Sequence, residues 1–508
     1  MLGLGNEAIS VLALQYFSMV DPTGNTSQNN RNLMAQITNG KIEDEYPPVI
    51  PLEGSPFSKI NRINQLKEYF IKKYNQEPEY FVRVPGRVNL IGEHVDYCGY
   101  SVLPMAIQYD IVMAVKPTNE PKLQLTNMDP EHQDFQCDVN SFSIEVKKGT
   151  SPSWHQYFLC GLKGVLETLN KDSVGMLVAA SGNIPLSSGL SSSSALVSAA
   201  ALAATYANKH KMSKLDIASL SATSERYIGT QGGGMDQAIA FLGTKGCAKH
   251  IQFNPLRSED VKLPEGAVFV IAHSLAVLNK AKTSDFNCRV AECRLAAQLM
   301  AKKRGLTWEK LRTLAELESA LNASLDDMVL LVKEILHQHP YTKEEMCREL
   351  EVSEGVLDQL SLSNNTTHID QFKLHQRALH VYQERIEVTS FREVCESEMA
   401  PVDALKKLGE LMRQSHQSLQ KLYECSHHGL DALVELGEGK ALGSRLTGAG
   451  WGGCTVALTT KDSLDDYVST LKEKFYKNNC AARDKNVDTL VFATEPNVGA
   501  EVYKESPL

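Results

Sequence analysis

The sequence lacks three features that would each point to a particular class of protein. It has no run of about 20 consecutive apolar residues, which a membrane-spanning helix needs. Its 52 lysines and arginines are outnumbered by 61 aspartates and glutamates, so the formal net charge is −9, whereas a nucleic-acid-binding surface is usually basic. Its 11 cysteines are odd in number and form no C-x-x-C pair, which argues against a disulfide framework.

These absences predict where the protein works and what it binds. Cysteines without a disulfide framework favour a reducing compartment, so we expect a cytoplasmic protein with no membrane and no nucleic-acid partner. Residues 1–20 lack a basic region and contain Glu7, so a secretory signal is not expected. An anionic small ligand remains compatible with the charge balance, because a local pocket can be positive on a negative protein. We expect a monomer.

The succession of polar and apolar segments predicts the domain organisation. A length of 508 residues suggests two or three domains. Residues 1–56 include a long polar stretch rich in Asn, Gln, Gly and Pro, and we expect them to form a disordered tail. Strand and helix patterns then follow each other, and residues 288–430 are mostly helical, which predicts an α+β fold with a boundary near residues 264–266.

A run of four serines precedes an alanine-rich stretch in IPLSSGLSSSSALVSAAALAATYA, residues 184–207. Gly189 permits a backbone conformation that a side chain would forbid, and serines are good helix N-caps. The residues that follow are apolar on nearly all sides, which predicts a buried helix. The unpaired N–H groups at the start of such a helix favour phosphate, and the hydroxyls can hold a magnesium ion. The alternative is a capped core helix with no ligand, and the common P-loop pattern G-x-x-x-x-G-K-[ST] is absent.

A second group of chemistry-bearing residues lies in PGRVNLIGEHVDYCGYSVLP, residues 85–104. Arg87, Glu93, His94 and Asp96 fall within ten residues and have apolar neighbours. Charges in such a setting are costly unless they are paired or used. A metal site is disfavoured because no further His or Cys residues cluster nearby. Carboxylates and imidazole accept hydrogen bonds from hydroxyls, so a sugar is the favoured ligand.

Two glycine-rich segments complete the pattern. In SERYIGTQGGGMDQAIAF, three glycines precede Asp236, and Glu225 lies upstream. One of these carboxylates can bind magnesium while the other takes a proton from an attacking hydroxyl. The alternatives are a helix N-cap for Asp236 and a surface charge for Glu225. In GSRLTGAGWGGCTVAL, glycines at 448, 450, 452 and 453 permit close backbone approach to a ligand or to another loop.

Together these motifs resemble those of the GHMP small-molecule kinases. GRVNLIGEHVDY is similar to the signature of the galactokinase subfamily, PLSSGLSSSSA to the family's ATP-binding motif and GAGWGGC to its C-terminal motif, and they occur in the family order. The resemblance covers roughly residues 57–502. It implies an α+β, two-lobed GHMP kinase fold: an N-terminal lobe at 57–262 of the ribosomal protein S5 domain 2-like type, and a ferredoxin-like C-terminal lobe at 263–508. A helical insertion is implied at about 300–380.

The resemblance also implies an activity, the ATP-dependent phosphorylation of the anomeric hydroxyl of a galactose-type sugar. SERYIGTQGGGMDQ and GSRLTGAGWGGCTV resemble the N-acetylgalactosamine kinase branch most. This implies N-acetylgalactosamine as the preferred substrate and galactose as a poorer one. The alternatives are galactokinase activity proper and a catalytically weak regulator that binds sugar and ATP. A mevalonate-type kinase fits the segment GEHVDY less well.

The family's residue roles carry over onto the matching positions of this sequence. Asp236 matches the catalytic base, and Arg87 matches an arginine beside it; both are implied to contact the sugar. The implied sugar-binding residues are also Glu93, His94 and Asp96. The implied magnesium ligands are Ser193 and Glu225. The implied contacts to ATP are Gly189, Leu190, Ser191, Ser192, Ser193, Asn279 and Lys280.

Overall fold

The elements of the fold are taken from a computed structural model, which describes residues 45–147, 150–185, 188–276, 284–363 and 365–504. The strands are β1 Val49–Pro51, β2 Tyr80–Asn89, β3 Pro104–Thr118, β4 Lys122–Asn127, β5 Phe135–Asp138, β6 Gly175–Gly182, β7 Cys247–Gln252, β8 Arg257–Lys262, β9 Val268–His273, β10 Tyr341–Thr342, β11 Gln371–Phe372, β12 Gly443–Thr447, β13 Cys454–Thr459, β14 Val491–Thr494 and β15 Glu501–Lys504. The helices are α1 Asn61–Tyr74, α2 Trp154–Thr168, α3 Ser192–Ala207, α4 Lys214–Ser224, α5 Met235–Leu242, α6 Asp285–Lys303, α7 Leu314–Leu321, α8 Leu325–Ile335, α9 Lys343–Leu350, α10 Glu354–Ser361, α11 Leu374–Glu396, α12 Pro401–Ser418, α13 His428–Leu436, α14 Lys461–Leu471 and α15 Val487–Leu490.

The first sheet has the strand order β1-β15-β2-β3-β6-β4-β5. Successive side chains of a strand point to opposite faces, and every residue of β2 is buried, so both faces of this strand are covered. Val82 and Val84 join the main core with residues of α2 and α3, whereas Phe81 packs with Phe70 of α1. The strand β2 is therefore held at the centre of the lobe, and its end carries the residues of the second motif.

The serine-rich segment forms the buried helix that the sequence predicts. α3 begins at Ser192, and 12 of its residues are buried, most of them alanine. Small side chains let α2 approach closely: a Cβ atom on Gly161 would lie 2.2 Å from the backbone oxygen of Val197. The start of α3 is thus fixed rigidly by packing on a neighbouring helix.

Two strands that belong to the first sheet, β1 and β15, lie outside the residue range expected for the N-terminal lobe. β1 pairs in parallel with β15, so the fold begins before residue 57 and a disordered tail reaching residue 56 is wrong for 49–51. β15 pairs antiparallel with β2, with Glu501 opposite Arg83, so the chain returns to the first sheet after completing the second. Local periodicity cannot reveal such pairings, because the partners are far apart along the chain. The remainder of the expected tail, residues 1–44, lies outside the described residues.

The second sheet has the strand order β12-β13-β9-β14, and all neighbouring strands are antiparallel. Helices lie between β9 and β12 and between β13 and β14 along the chain, which gives the β-α-β-β-α-β order of a ferredoxin-like unit. The α+β fold with a ferredoxin-like C-terminal sheet is therefore confirmed.

A long helical segment, α6 to α13, separates β9 from β12 and includes the ribbon of β10 and β11. Its core contains Val332 and Phe372 together with Val95 and Tyr100, which follow β2. The helical stretch is thus longer than the insertion expected at about 300–380, and it packs against the predicted sugar-binding segment. None of the described helices combines the length and the apolar character that a bilayer crossing requires.

Candidate active site

One cavity of about 390 Å³ gathers most of the residues selected from the sequence. Its walls come from the segment after β2, the start of α3, the start of α5 and the glycine-rich loop after β12. The predicted residues that line it are Arg87, Glu93, His94, Asp96, Gly189, Ser191, Ser192, Ser193, Glu225 and Asp236. Its volume lies in the range of small-molecule sites, about 300–1,000 Å³. The serine-rich loop and Asp236 therefore share one cavity.

Three predicted ATP contacts stand apart from this group. Leu190 does not line the cavity, because its apolar side chain is buried in the main core. Its backbone oxygen accepts a hydrogen bond from the N–H of Arg87 at 3.2 Å, so Leu190 anchors the loop to β2. Asn279 and Lys280 lie outside the described residues.

The start of α3 has the properties of an anion site. Ser191 has a φ angle of 64°, and its buried hydroxyl has no hydrogen-bond partner among the described residues. Buried hydroxyls are usually paired, so this unsatisfied group at the cavity is consistent with a missing polar ligand. The first N–H groups of a helix also lack partners within the helix and attract anions. These residues therefore fit a polyphosphate chain.

The glycine-rich loop after β12 packs directly on the serine-rich loop. A Cβ atom on Gly448 would lie 2.6 Å from the backbone oxygen of Gly189, and one on Gly453 would lie 2.8 Å from that of Ser188. Both Gly448 and Gly453 also have positive φ angles, which side chains rarely adopt. Of the two explanations left open by the sequence, close approach to another loop therefore accounts for these glycines.

Asp236 lies in the first turn of α5 and forms an ion pair with Arg87. Gly234, with a φ angle of 106°, turns the chain into the helix. Arg87 Nε donates to Asp236 Oδ1 at 2.6 Å, and Arg87 Nη1 donates to the backbone oxygen of Gly189 at 2.5 Å. The guanidinium is almost completely buried, so the carboxylate and the serine-rich loop are held by one rigid group.

Glu225 and Ser193 both line the cavity, but the structure adds two partners that the sequence analysis did not select. Glu225 Oε2 accepts hydrogen bonds from Ser194 Oγ at 2.8 Å and from Gln237 Nε2 at 2.5 Å. Ser194 directly follows Ser193, and Gln237 directly follows Asp236. This adjacency to two selected residues is the signal by which the sequence could have indicated them. Carboxylate and hydroxyl oxygens suit Mg²⁺, which is commonly bound by one or two carboxylates together with phosphates. The donor set thus fits the ion implied by the resemblance.

The segment after β2 brings its polar side chains to the same cavity. His94 Nε2 donates to the backbone oxygen of Ala449 at 3.0 Å, and its Nδ1 lies 2.8 Å from the hydroxyl of Tyr97. Asp96 Oδ2 accepts from the N–H of Met235 at 3.4 Å, next to Asp236. These contacts tie the segment to the glycine-rich loop and to α5.

Aromatic rings surround His94, which the sequence did not indicate. The ring centroids of Tyr423, Phe286 and Trp451 lie 4.6, 5.7 and 5.8 Å from that of His94. They come from the helical segment and the glycine-rich loop, so only the tertiary fold brings them together. The imidazole is thereby confined to one orientation at the cavity wall.

A buried charge network lies beneath this segment. Glu93 Oε1 accepts from the N–H of Gly448 at 2.8 Å and lies 3.7 Å from Arg445 Nη1. Burial raises the pKa of Glu93, and the charge of Arg445 opposes this shift. Glu384 of α11 accepts hydrogen bonds from the backbone N–H groups of Gly92 and Glu93 at 2.8 and 3.0 Å. Neither Glu384 nor Arg445 was predicted from the sequence, although Arg445 is part of the segment GSRLTGAGWGGCTVAL.

Comparisons with known proteins agree with this arrangement. Residues 68–117 match the galactokinase galactose-binding signature, 156–244 the GHMP kinases N terminal domain, and 402–477 the GHMP kinases C terminal model. The galactokinase of Dictyostelium discoideum is 38% identical over 90% of this chain and 98% of its own length, and that of Saccharomyces cerevisiae is 33% identical over 86% and 93%. The crystal structure of Lactococcus lactis galactokinase complexed with galactose aligns with a TM-score of 0.63 at 24% identity, over 87% of this chain and 99% of that one, which shows a common fold. This chain therefore belongs to the galactokinase family of GHMP kinases.

Proposed function

We propose that the protein transfers the γ-phosphoryl group of ATP to the anomeric hydroxyl of a galactose-configured sugar, giving the sugar 1-phosphate and ADP. The observation that carries this proposal is the Arg87–Asp236 ion pair, which lies in one cavity with the anion-type loop at the start of α3. Phosphoryl transfer depends mainly on positioning and charge stabilisation, so it needs these two features side by side.

In this proposal the polyphosphate of ATP binds at the start of α3. The hydroxyls of Ser191 and Ser192 and the backbone around Gly189 contact phosphate oxygens, while Asn279 and Lys280 remain predicted contacts to the nucleotide. Ser193 and Glu225 hold a magnesium ion, which when bound supplies positive charge beside the phosphates.

Asp236 acts as the general base in the proposed reaction. It accepts the proton of the C1 hydroxyl as that oxygen bonds to the γ-phosphorus and the bond between that phosphorus and the departing ADP oxygen breaks. Arg87 fixes the carboxylate and places positive charge where negative charge develops. A positioned base contributes about 10²–10⁴-fold in rate.

The sugar is proposed to bind through Glu93, His94 and Asp96, away from C1. These groups line the cavity beside Asp236 and offer acceptors to hydroxyls. The relatives are named galactokinases, which supports galactose as the main substrate better than the N-acetylgalactosamine expected from the sequence. We therefore propose galactokinase activity proper and keep N-acetylgalactosamine as the comparison substrate.

The test measures ADP release with MgATP and, in separate reactions, galactose, N-acetylgalactosamine and glucose. We expect the highest kcat/KM with galactose and a value at least about 100-fold lower with glucose, because a mispositioned hydroxyl leaves buried polar groups unpaired. Phosphorus NMR of the product should show an anomeric phosphate.

Three outcomes would count against parts of this proposal. A higher kcat/KM with N-acetylgalactosamine than with galactose would restore the preference implied by the motifs. Sugar binding without ADP release would favour the regulator. Phosphate on any carbon other than C1 would contradict the proposed reaction.

A further inference from the structure

A second cavity of about 670 Å³ adjoins the candidate active site. The two cavities share Asp96, Gly232 and Gly234 among their lining residues, so they lie against the same loop that leads into Asp236. None of the proposed steps uses the second cavity. Its lining includes three arginines, Arg226, Arg294 and Arg312.

These arginines have no carboxylate partner among the described residues. Arg294 donates only to the backbone oxygen of Ser361 at 3.0 Å and to Gln231 Oε1 at 3.4 Å, and its buried Nε has no partner there at all. Arg312 donates to backbone oxygens, at distances of 2.7 and 3.2 Å. Arg226 and Arg312 are exposed, whereas Arg294 is half-buried. The buried Arg377 and Arg445 both lie within ion-pair distance of glutamates, which Arg294 does not.

The three positive charges also repel one another. Burial lowers the pKa of Arg294, and the charges of Arg312 and Arg226 lower it further. Asp96 is the one carboxylate among the described residues that line this cavity, and no described carboxylate lies within ion-pair distance of the three arginines. An anion in the cavity would reduce this repulsion.

The side chains that line this cavity indicate which kind of anion it would bind. Guanidinium groups present planar pairs of N–H donors that match phosphate oxygens in bidentate fashion. A concave cavity of this volume suits a small molecule, because ligand sites are usually about 300–1,000 Å³. A flat charged surface would instead suit a macromolecule.

We propose that this cavity is a second binding site, for a small phosphate-bearing anion held by Arg226, Arg294 and Arg312. The site goes beyond the proposed transfer reaction and does not depend on it. Gln231 connects Arg294 to the loop before Asp236, and Asn287 accepts from the N–H of Gln231 at 3.3 Å. An anion in this cavity would therefore lie against the loop that leads into Asp236.

The test is calorimetric titration of the full chain with its active site already filled by a non-hydrolysable ATP analogue, Mg²⁺ and galactose. One arm uses inorganic phosphate and the other galactose 1-phosphate. We expect binding in at least one arm with a Kd of about 1 mM or below. It should weaken as salt is added, since exposed charges are screened. Binding in the galactose 1-phosphate arm alone would identify a phosphomonoester as the ligand.

The double variant Arg294→Gln/Arg312→Gln should raise this Kd by at least about tenfold, because it removes two charged donors. Arg304→Gln is the matched control: Arg304 follows α6, pairs with Glu334 at the surface, and should leave the Kd unchanged. Binding of the ATP analogue by each variant reports that it is folded. Absence of binding in both arms, or an unchanged Kd in the double variant, would overturn the proposal.

Discussion

At the scale of single residues, Arg87 joins the two halves of the proposed reaction centre. Its guanidinium binds the carboxylate of Asp236 and the backbone oxygen of Gly189, and its own N–H donates to Leu190. A lysine could not reproduce this, because an ammonium group lacks the planar fork that reaches two acceptors in fixed directions. The proposed base and the serine-rich loop are thus positioned by one side chain.

Replacement of Asp236 tests the assigned chemistry most directly. We expect Asp236→Ala to lower kcat by about 10²–10⁴-fold, since the general base is lost. Ser194 Oγ lies 3.4 Å from Asp236 Oδ2, but α3 is also packed on α2, and Arg87 Nη1 still donates to the backbone oxygen of Gly189 in the variant. Binding of the ATP analogue should therefore be retained. Steady-state kinetics and analogue titration measure the two effects. Asp465→Ala, which removes an exposed carboxylate of α14, is the control, and wild-type turnover in Asp236→Ala would refute the assignment.

At the scale of elements, two loops that are far apart in sequence form the phosphate end of the cavity together. Gly448 and Gly453 let the loop after β12 press against the backbone of Ser188 and Gly189. Each loop therefore fixes the other, and the glycines are needed for contact between backbones.

The substitution Gly448→Ala tests this packing against Gly439→Ala. Both glycines have positive φ angles, 83° and 70°, but a Cβ atom on Gly439 would meet nothing within 4 Å. Both variants should lose roughly 1–2 kcal/mol of stability from backbone strain. Gly448→Ala should lose more stability than Gly439→Ala, and it alone should raise the KM for ATP, because its methyl group displaces the serine-rich loop. Urea unfolding and kinetics provide the comparison, and equal effects of the two substitutions would contradict the packing argument.

Helix α11 contributes to the site through Glu384. This carboxylate is completely buried and accepts from the backbone of Gly92 and Glu93 and from Ser415 Oγ, so it fixes the chain that carries Glu93 and His94. It acts as a positioning residue, since it does not line the cavity.

Glu384→Ala should raise the KM for the sugar by about tenfold or more, because two buried N–H groups lose their acceptor. The KM for ATP should change little. Glu384→Gln keeps an acceptor oxygen and should restore much of the sugar affinity. Kinetics for both substrates measure this split; equal changes in both KM values, or no rescue by glutamine, would show that Glu384 has only a general structural role.

The sequence predicted some of these elements and could not predict others. The serine run, the alanine-rich stretch and the glycine density located α3 and its contacting loop, because their signals are local. The partners of Glu225 stand next to residues that the sequence did single out, whereas the aromatic rings around His94 come from distant segments, so periodicity contained no trace of those rings. The two-lobed fold and the choice of Asp236 rather than Glu225 as the proposed base rested on the family resemblance, and the pairings of β1 and β15 were missed.

At the scale of the whole molecule, the helical segment, the second sheet and the segment after β2 meet at a buried group of charges. Arg445 lies 3.6 Å from Glu384 and 3.7 Å from Glu93, and Glu387 follows Glu384 by one turn of α11. Burial and the adjacent Glu384 raise the pKa of Glu387 to about 9, against the opposing charge of Arg445. We therefore expect Glu387 to be protonated at neutral pH in the folded chain.

This proton links global stability to pH. An unfolded glutamate has a pKa of about 4.3, so from about pH 5 to pH 9 the folded chain holds a proton on Glu387 that the unfolded chain has released. The contribution of Glu387 is fully present below the unfolded pKa and is lost as the pH rises towards 9. In Glu387→Gln the amide imitates the protonated acid and cannot titrate, so the variant should become progressively more stable than the wild type between about pH 5.5 and pH 8.5.

Comparison of the two unfolding curves isolates this effect, because every other titrating group is common to both proteins. The free energy of unfolding in urea is measured at several pH values, and the difference between variant and wild type is plotted against pH. Glu393→Gln removes an exposed carboxylate from the same helix and should give a difference that stays flat. A flat difference for Glu387→Gln as well would mean that Glu387 is ionised in the folded chain. Arg445 would then have to balance the negative charges of Glu93, Glu384 and Glu387. The described contacts do not stabilise three buried charges, because Glu384 Oε2 and Glu387 Oε2 have no hydrogen-bond partner among them.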